Sequence, residues 1–262
     1  MGKAILVIVL IVVVFGCRDS GKQNKAMQDY MSIQKLIDSI PPDTVKPVLN
    51  TTFKGVAFPL FFEAAYHKST SVNTGHGKYV FSIFDAGKIK IESGRIIACD
   101  PITMHDEIAF TQRFPIGSFP VQLAMANTGS DMRVAFSRIL FSNAEVAKWE
   151  SAIIPGQKPK PINDSDYYCY GVDGGVGLFI DSISNSVFNN LGQKLWEKVF
   201  IINMEKINYT GYTYDFSGHN LTTFSTGYGD GCYGTYIGFD KDGNVCRLLT
   251  DFSIIAWWEM KK

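Results

Sequence analysis

Short apolar segments that alternate with turn signals recur from about residue 52 onward, and they restrict the fold more than any other feature. Residues 79–84 are apolar on both alternating faces, which is typical of a strand buried on both sides. The Asp-Ala-Gly segment at 85–87 predicts a three-residue turn with Gly87 at positive φ. Residues 88–92 then alternate between charged and apolar side chains, as a half-exposed partner strand does. The sequence therefore predicts a hairpin here.

Further strands and two helices are predicted along the rest of the chain. Residues 119–125 and 133–141 have strand patterns around a turn-rich segment, and strand patterns return over 213–258. A capping box predicts a helix over 142–153, and apolar residues at helical spacing predict a second helix over 188–202. These elements predict an α+β fold that is mainly antiparallel β, sandwich- or barrel-like, with two or three peripheral helices.

The N-terminus has the layout of a secretory leader. Lys3 precedes an unbroken apolar run at 4–15, and a glycine and Cys17 follow. As a helix this run rises about 18 Å, less than the roughly 30 Å hydrocarbon core of a bilayer, which disfavours a transmembrane anchor. The segment 14–17 resembles a bacterial lipobox, although the residue before its glycine is bulkier than usual. We expect residues 1–16 to be a lipoprotein signal peptide and Cys17 to be lipidated; the alternative is an uncleaved signal anchor with a free thiol.

The mature chain divides into a tether and one large domain. Residues 17–50 begin as a polar segment and then carry apolar residues at helical spacing over 27–40, which predicts a lipidated tether with a short amphipathic helix. Residues 51–262 are expected to form a single β-rich globular domain. Arg18 differs from the aspartate that signals inner-membrane retention in enteric bacteria. We expect an extracytoplasmic protein held on the membrane by its lipid, at the outer membrane if the host is Gram-negative.

Composition and motifs exclude several classes of protein. The 262 residues carry 25 basic and 25 acidic side chains and are 46% apolar, which excludes disorder and a strongly basic nucleic-acid binder. The chain lacks GxSxG, HExxH, CxxC and GxxxxGK[ST] motifs, and its histidines show no metal-ligand spacing. The glycines of the segment 227–234 match GxGxxG, but a strand pattern follows where pyrophosphate binding requires a helix. We therefore predict no cofactor, no metal site and no nucleic-acid partner.

Five aspartates lie in glycine-rich or turn surroundings, where functional carboxylates are often displayed. They are Asp100, Asp173, Asp181, Asp230 and Asp251. Convergence of three of them in one pocket would favour a carboxylate-dependent, metal-assisted hydrolase, because like charges need a metal or a shared proton. The alternative is that each aspartate bonds to the backbone of its own turn. His105 and Asp106 are a further candidate acid–base pair, although a surface location is more typical of such a histidine.

Four cysteines remain after lipidation: Cys99, Cys169, Cys232 and Cys246. An extracytoplasmic compartment permits disulfides, and four cysteines allow three connectivities. The Asp-Gly pair at 242–243 predicts a hairpin turn, which places Cys232 and Cys246 about 20 Å apart along the paired strands. Bonded cysteines need Cα atoms within about 7 Å, so the pair Cys232–Cys246 is disfavoured. The other pairings stay open, as does the alternative of four buried thiols.

Several segments together resemble a bacterial family known as domain of unknown function 4241. They are residues 93–101, 114–117, 134–141 with Trp149 and Glu150, 172–181 and 227–252. The resemblance spans about residues 94–252, and its final segment is the most specific. The family carries no established activity, so the resemblance implies no catalytic residue, cofactor or partner.

We expect a lipid-anchored, extracytoplasmic bacterial protein that binds an unidentified protein or small molecule. A carboxylate-dependent hydrolase is the enzyme alternative, and the sequence leaves open whether the chain is an enzyme. Immunity to a secreted toxin or a part in envelope assembly is a third alternative, and a large exposed apolar patch would favour the assembly role.

Overall fold

Twelve strands form two sheets in the part of the chain that the computed structural model describes, residues 62–67, 70–74, 77–127, 129–159, 162 and 167–255. The strands are β1 (Ser71–Thr74), β2 (Gly77–Ile91), β3 (Ile96–Cys99), β4 (Gly117–Asn127), β5 (Met132–Leu140), β6 (Lys148–Ser151), β7 (Cys169–Val172), β8 (Val176–Asp181), β9 (Gly211–Phe216), β10 (His219–Ser225), β11 (Gly231–Phe239) and β12 (Val245–Asp251). The helical segments are α1 (Ser182–Asn189), α2 (Gln193–Glu197), a π-helix (Lys198–Asn203) and α3 (Met204–Lys206). The predicted signal peptide, lipidation site and amphipathic helix lie outside the described residues.

The larger sheet has eight strands, in the order β1-β2-β4-β5-β12-β11-β6, and β7 also pairs with β11. The smaller sheet has the order β3-β8-β10-β9. The pairings in both sheets are antiparallel, and the larger sheet curls into a half-barrel. The predicted fold class, mainly antiparallel β with a few short helices, is confirmed.

Apolar side chains cover both faces of the smaller sheet. All six residues of β8 are buried. Leu178 packs in the cluster that includes the helices, whereas Phe179 points into the cluster shared with the larger sheet and lies 4.9 Å from the ring centroid of Phe224. Burial of one such phenylalanine contributes about 1.5–3 kcal/mol. A further cluster on the larger sheet includes Phe62, whose ring lies 5.1 Å from that of Trp149.

The predicted hairpin over residues 79–92 is wrong, because β2 continues through the predicted turn as one strand of 15 residues. Its register with β4 shifts between Asp85 and Gly87, which marks a β-bulge. Gly87 has a φ of 102°, and its N–H donates to the Asp85 carboxylate at 2.8 Å. A glycine at positive φ suits a turn and a bulge equally, and pairing with β4 decides between them. Ile83 and Phe84, predicted to be buried, are 42% and 38% exposed.

The predicted helix over residues 142–153 is also wrong, because this segment contains no helix and ends in β6. Arg247 donates to the carbonyl groups of Ser142 at 2.6 Å and Ala144 at 3.1 Å. A helix would use those carbonyls for bonds to residues four positions later. Burial alternates along β6, where Trp149 is buried against the larger sheet, so tertiary contacts override the local capping signal.

The predicted helix over residues 188–202 is interrupted. α1 ends at Asn189 and α2 begins at Gln193, with Gly192 at a φ of 84° between them. Ile202, predicted to lie on the apolar stripe, is 47% exposed in the π-helix. Within the described ranges, no helix combines the length and the hydropathy that crossing a bilayer requires.

Two predicted strands and one predicted hairpin turn are confirmed. The strands predicted over 119–125 and 133–141 correspond to β4 and β5, which pair with each other, and the turn predicted at 242–243 lies in the segment 240–244 that joins β11 to β12. In that turn the Asp240 carboxylate accepts bonds from the N–H groups of Asp242 at 2.9 Å and Asn244 at 2.8 Å. These hairpins depend on local alternation and turn residues, which the sequence displays directly.

Candidate functional site

A cleft of about 410 Å³ opens between the loop after β3 and the helices α1 and α2. Its apolar lining comes from Pro101, Ile102, Met104, Phe188 and Trp196, and polar groups come from His105, Asn189 and Gln193. The volume lies within the range of about 300–1,000 Å³ that is typical of small-molecule sites. A mainly apolar lining with a few polar groups is the usual composition of such a site.

The loop beside the cleft takes its shape from Asp100, which is 1% exposed. Its Oδ1 accepts a bond from the N–H of Ile102 at 2.7 Å. Its Oδ2 accepts bonds from the N–H groups of Asp173 at 2.8 Å and Gly174 at 3.1 Å. Because a buried carboxylate is costly unless it is hydrogen-bonded, these amides fix the path of the loop, which we call the Asp100 loop (residues 100–106). Asp100 is therefore a positioning residue for the cleft.

Side chains from the helices hold the Asp100 loop against the opposite wall. The indole N–H of Trp196 donates to the carbonyl of Pro101 at 3.0 Å. The buried amide of Asn185 donates to the carbonyl of Met104 at 2.9 Å. Trp196 also packs on Phe200, with ring centroids 5.6 Å apart. The cleft is therefore preformed, since bonds across it hold both walls.

Of the five predicted aspartates, the structure brings the segments of Asp100 and Asp173 together, whereas Asp230 and Asp251 lie at other strand ends. Asp100 binds the backbone of Asp173, whose own side chain is exposed. Asp230 is exposed just before β11, and Asp251 ends β12, where its carboxylate accepts a bond from the N–H of Ser253 at 2.8 Å. Among the residues that the structure describes, no three His, Cys, Asp or Glu side chains are grouped so that they could hold a metal ion.

Asp181, the fifth predicted aspartate, is fully buried at the start of α1. Its Oδ1 accepts a bond from the N–H of Ile183 at 2.9 Å and so caps the helix. Its Oδ2 accepts bonds from the N–H groups of Glu92 at 3.0 Å and Ser93 at 2.9 Å, and from the Ser93 hydroxyl at 2.8 Å. Asp181 therefore fixes the backbone from which the Glu92 side chain projects.

Glu92 and His219 form an acid–base pair that sequence reasoning missed. Nδ1 of His219, at the start of β10, contacts Oε2 of Glu92, just after β2. Lys90 Nζ lies 2.9 Å from Oε1, and the buried hydroxyl of Ser184 donates to Oε2 at 3.4 Å. The hydrogen bond from Lys90 is the main cause that holds the pKa of Glu92 below its usual value, and the bond from His219 adds to it against desolvation. The paired residues are 127 positions apart, so no local pattern signals them.

The pair has the geometry of a proton acceptor. An ionised Glu92 keeps the imidazole proton of His219 on Nδ1, which leaves the lone pair of the neutral ring on Nε2. Nε2 has no hydrogen-bond partner within the described ranges, and the side chain is 20% exposed. A lone pair placed in this way is what a general base uses to take a proton. His105, the histidine singled out by the sequence, instead forms an exposed pair with Asp106 at 3.0 Å, as a surface histidine does.

The structure joins Cys169 to Cys232 in a disulfide, with Cα atoms 5.3 Å apart. The prediction that Cys232 does not pair with Cys246 is therefore confirmed. Cys99 and Cys246 are buried free thiols, and burial raises the pKa of both.

Comparison with known proteins gives one result. A family model described as "Protein of unknown function (DUF4241)" matches residues 89–250, well over half of the chain. The matched range contains the cleft, the disulfide and the Glu92–His219 pair. No curated protein and no solved structure matches the chain.

Proposed function

The chain belongs to the DUF4241 family, a protein family of unknown function. From its leader and its cleft we propose that it is a lipid-anchored, extracytoplasmic binding protein. Its ligand is a small molecule with an aromatic or aliphatic body and one hydrogen-bonding group. The observation that carries the proposal is the preformed cleft beside the Asp100 loop, whose apolar walls meet polar groups from His105 and Gln193.

Two features support a location outside the cytoplasm. The apolar run at 4–15 followed by Cys17 has the layout of a lipoprotein leader. The Cys169–Cys232 disulfide supports the same location, because disulfides persist in oxidising compartments and are rare in the cytosol.

Ligand-observed NMR with indole and hexanoate as probes tests the binding function. We expect saturation-transfer signals with the native protein and their loss in Gln193→Phe, because the added ring fills the cleft. Lys194→Phe adds the same ring one residue along α2, outside the cleft lining, and we expect it to retain the signals. Equal signals in both variants, or none with the native protein, would contradict the proposal.

Intact-mass spectrometry of protein from membrane fractions tests the anchor. We expect a chain that starts at Cys17 and carries acyl groups, and we expect Cys17→Ser to leave the membrane fraction. Several acyl chains give firm attachment, at about 0.8 kcal/mol per buried methylene. A chain that retains Met1, or an unmodified chain in the cytosol, would refute lipid anchoring.

The Glu92–His219 pair favours a second function, hydrolysis of an acyl ester. Nε2 of His219 takes a proton from water as the water oxygen bonds to the acyl carbon; the carbon–oxygen bond to the alcohol then breaks, and the alcohol takes the proton. With p-nitrophenyl acetate as the probe, we expect His219→Gln to lower the rate by about 100-fold. His67→Gln, at an exposed histidine outside the pair, is the matched control. Equal rates in the native protein and His219→Gln would exclude this function.

A further inference from the structure

The Cys169–Cys232 disulfide lies on the surface, where a reductant can reach it. Both cysteines are exposed, and they join β7 to β11 across neighbouring strands. β7 has only four residues, and β11 is the strand with which it pairs in the larger sheet. A strand this short has few ladder bonds, and its inward side chains Val172 and Tyr170 pack on the core, so the disulfide is the covalent tie on its exposed side.

The chain continues directly from β7 into the amides that bind Asp100. Asp173 and Gly174 follow the last residue of β7, and their N–H groups donate to Oδ2 of Asp100 at 2.8 and 3.1 Å. Displacement of β7 therefore withdraws two of the amide donors that neutralise a buried carboxylate. A buried carboxylate that loses donors moves toward water or gains other partners.

The other carboxylate oxygen of Asp100 shapes the cleft. Oδ1 accepts a bond from the N–H of Ile102, and Ile102 and Met104 line the cleft. A continuous series of contacts thus runs from the disulfide through β7 and Asp100 to the ligand-facing loop. Cys99 and Cys246 are free thiols, so a reductant breaks no bond at either of them.

We propose that the Cys169–Cys232 disulfide is a redox-responsive strap that controls the order of the Asp100 loop and, through it, the affinity of the cleft. The consequence for affinity rests on the proposed binding function. A dithiol reductant supplies two electrons and two protons: its thiolate attacks one sulfur to form a mixed disulfide, its second thiol displaces the protein cysteine, and the reductant leaves as a disulfide. The protein then carries two thiols, and β7 is held by its ladder bonds to β11 and by the core packing of Val172 and Tyr170.

Hydrogen exchange of the full chain with and without dithiothreitol tests the strap. On reduction we expect the amides of Ile102, Asp173 and Gly174 to exchange faster by about 10-fold or more, while amides in β4 and β5 stay unchanged. The double variant Cys169→Ser/Cys232→Ser should exchange fast under both conditions. Cys246→Ala, at a free thiol, should keep the native response.

Indole titration of the same samples separates the strap from the binding function. We expect the affinity for indole to fall by about 5-fold or more on reduction. Unchanged exchange at Ile102 after complete reduction, confirmed by thiol counting, would overturn the strap whether or not indole binds. Faster exchange with no indole binding in either state would uphold the strap and refute the proposed binding function.

Discussion

Two glutamates in this protein each bind two nitrogen-bearing side chains, and these side chains differ in their burial. Glu63 lies between Arg138 and Arg247, whose side chains are 9% and 6% exposed. Glu92 lies between Lys90 and His219, whose side chains are 47% and 20% exposed. The first carboxylate balances buried charge, whereas the second orients an imidazole at the surface.

Every cation around Glu63 has further partners. Arg138 donates through Nε and Nη2 to Oε1 of Gln122 and lies 3.7 Å above the ring of Tyr66. Arg247 donates to Glu63 at 3.2 and 3.1 Å as well as to backbone carbonyls. This network has its donors engaged and attaches residues 62–67 to β5 and β12. Buried donors that are all engaged are typical of a structural network, whereas Nε2 of the partly exposed His219 ring is open to solvent.

Glu63→Gln should have the largest effect on stability. It removes the negative charge between two buried guanidinium groups, and breaking such a buried pair lowers the free energy of unfolding by about 3 kcal/mol or more. Urea unfolding measures the loss. Glu150→Gln, which removes the charge from the exposed Lys148–Glu150 pair, should cost about 1 kcal/mol or less. Equal losses in the two variants would mean that burial does not distinguish the Glu63 network.

The parts of the fold that the sequence predicts are those that local residues decide. The hairpins β4–β5 and β11–β12 follow from alternation and from turn residues between the strands. The bulge at Gly87 and the extended segment before β6 depend on remote partners, β4 and Arg247 respectively. A capping box or a turn signal is compatible with more than one structure until such a partner is known.

The same distinction applies to the site. Asp100 and Asp181 stand out in the sequence as carboxylates in turns, and the structure shows both bonded to backbone amides. Glu92 and His219 meet only because β2 and β10 pack together, at a separation of 127 residues. The cleft requires α1 and α2 to pack on the Asp100 loop, and interruption of the predicted helix at Gly192 places α2 there.

Asp181→Asn should have an intermediate effect on stability. It tests whether the buried Asp181 carboxylate holds the backbone of Glu92 in place. The amide keeps one acceptor oxygen but loses the carboxylate oxygen that binds Glu92 and Ser93, so we expect a loss of about 1–2 kcal/mol. Faster hydrogen exchange at the amides of Glu92 and Ser93 should accompany it. Asp85→Asn, at an exposed carboxylate that also binds a backbone amide, should cost less. Unchanged exchange at both amides would show that Asp181 does not position Glu92.

Glu92→Gln should have the smallest effect, about 1 kcal/mol or less at pH 7, because partly exposed pairs contribute little. The pH dependence of this stability loss distinguishes removal of an ionised carboxylate from a surface substitution that changes no charge. The pKa of Glu92 is lower in the folded protein than in the unfolded chain, so its contribution is present above the unfolded-state pKa and is lost as pH falls through the folded-state pKa. Urea unfolding at pH 7, 5 and 3 should therefore show the native protein and the variant converging toward the acidic end. A difference that stays constant or widens as pH falls would mean that the ionised carboxylate does not stabilise the folded state, and the assignment of the Nδ1 proton of His219 would lose its basis.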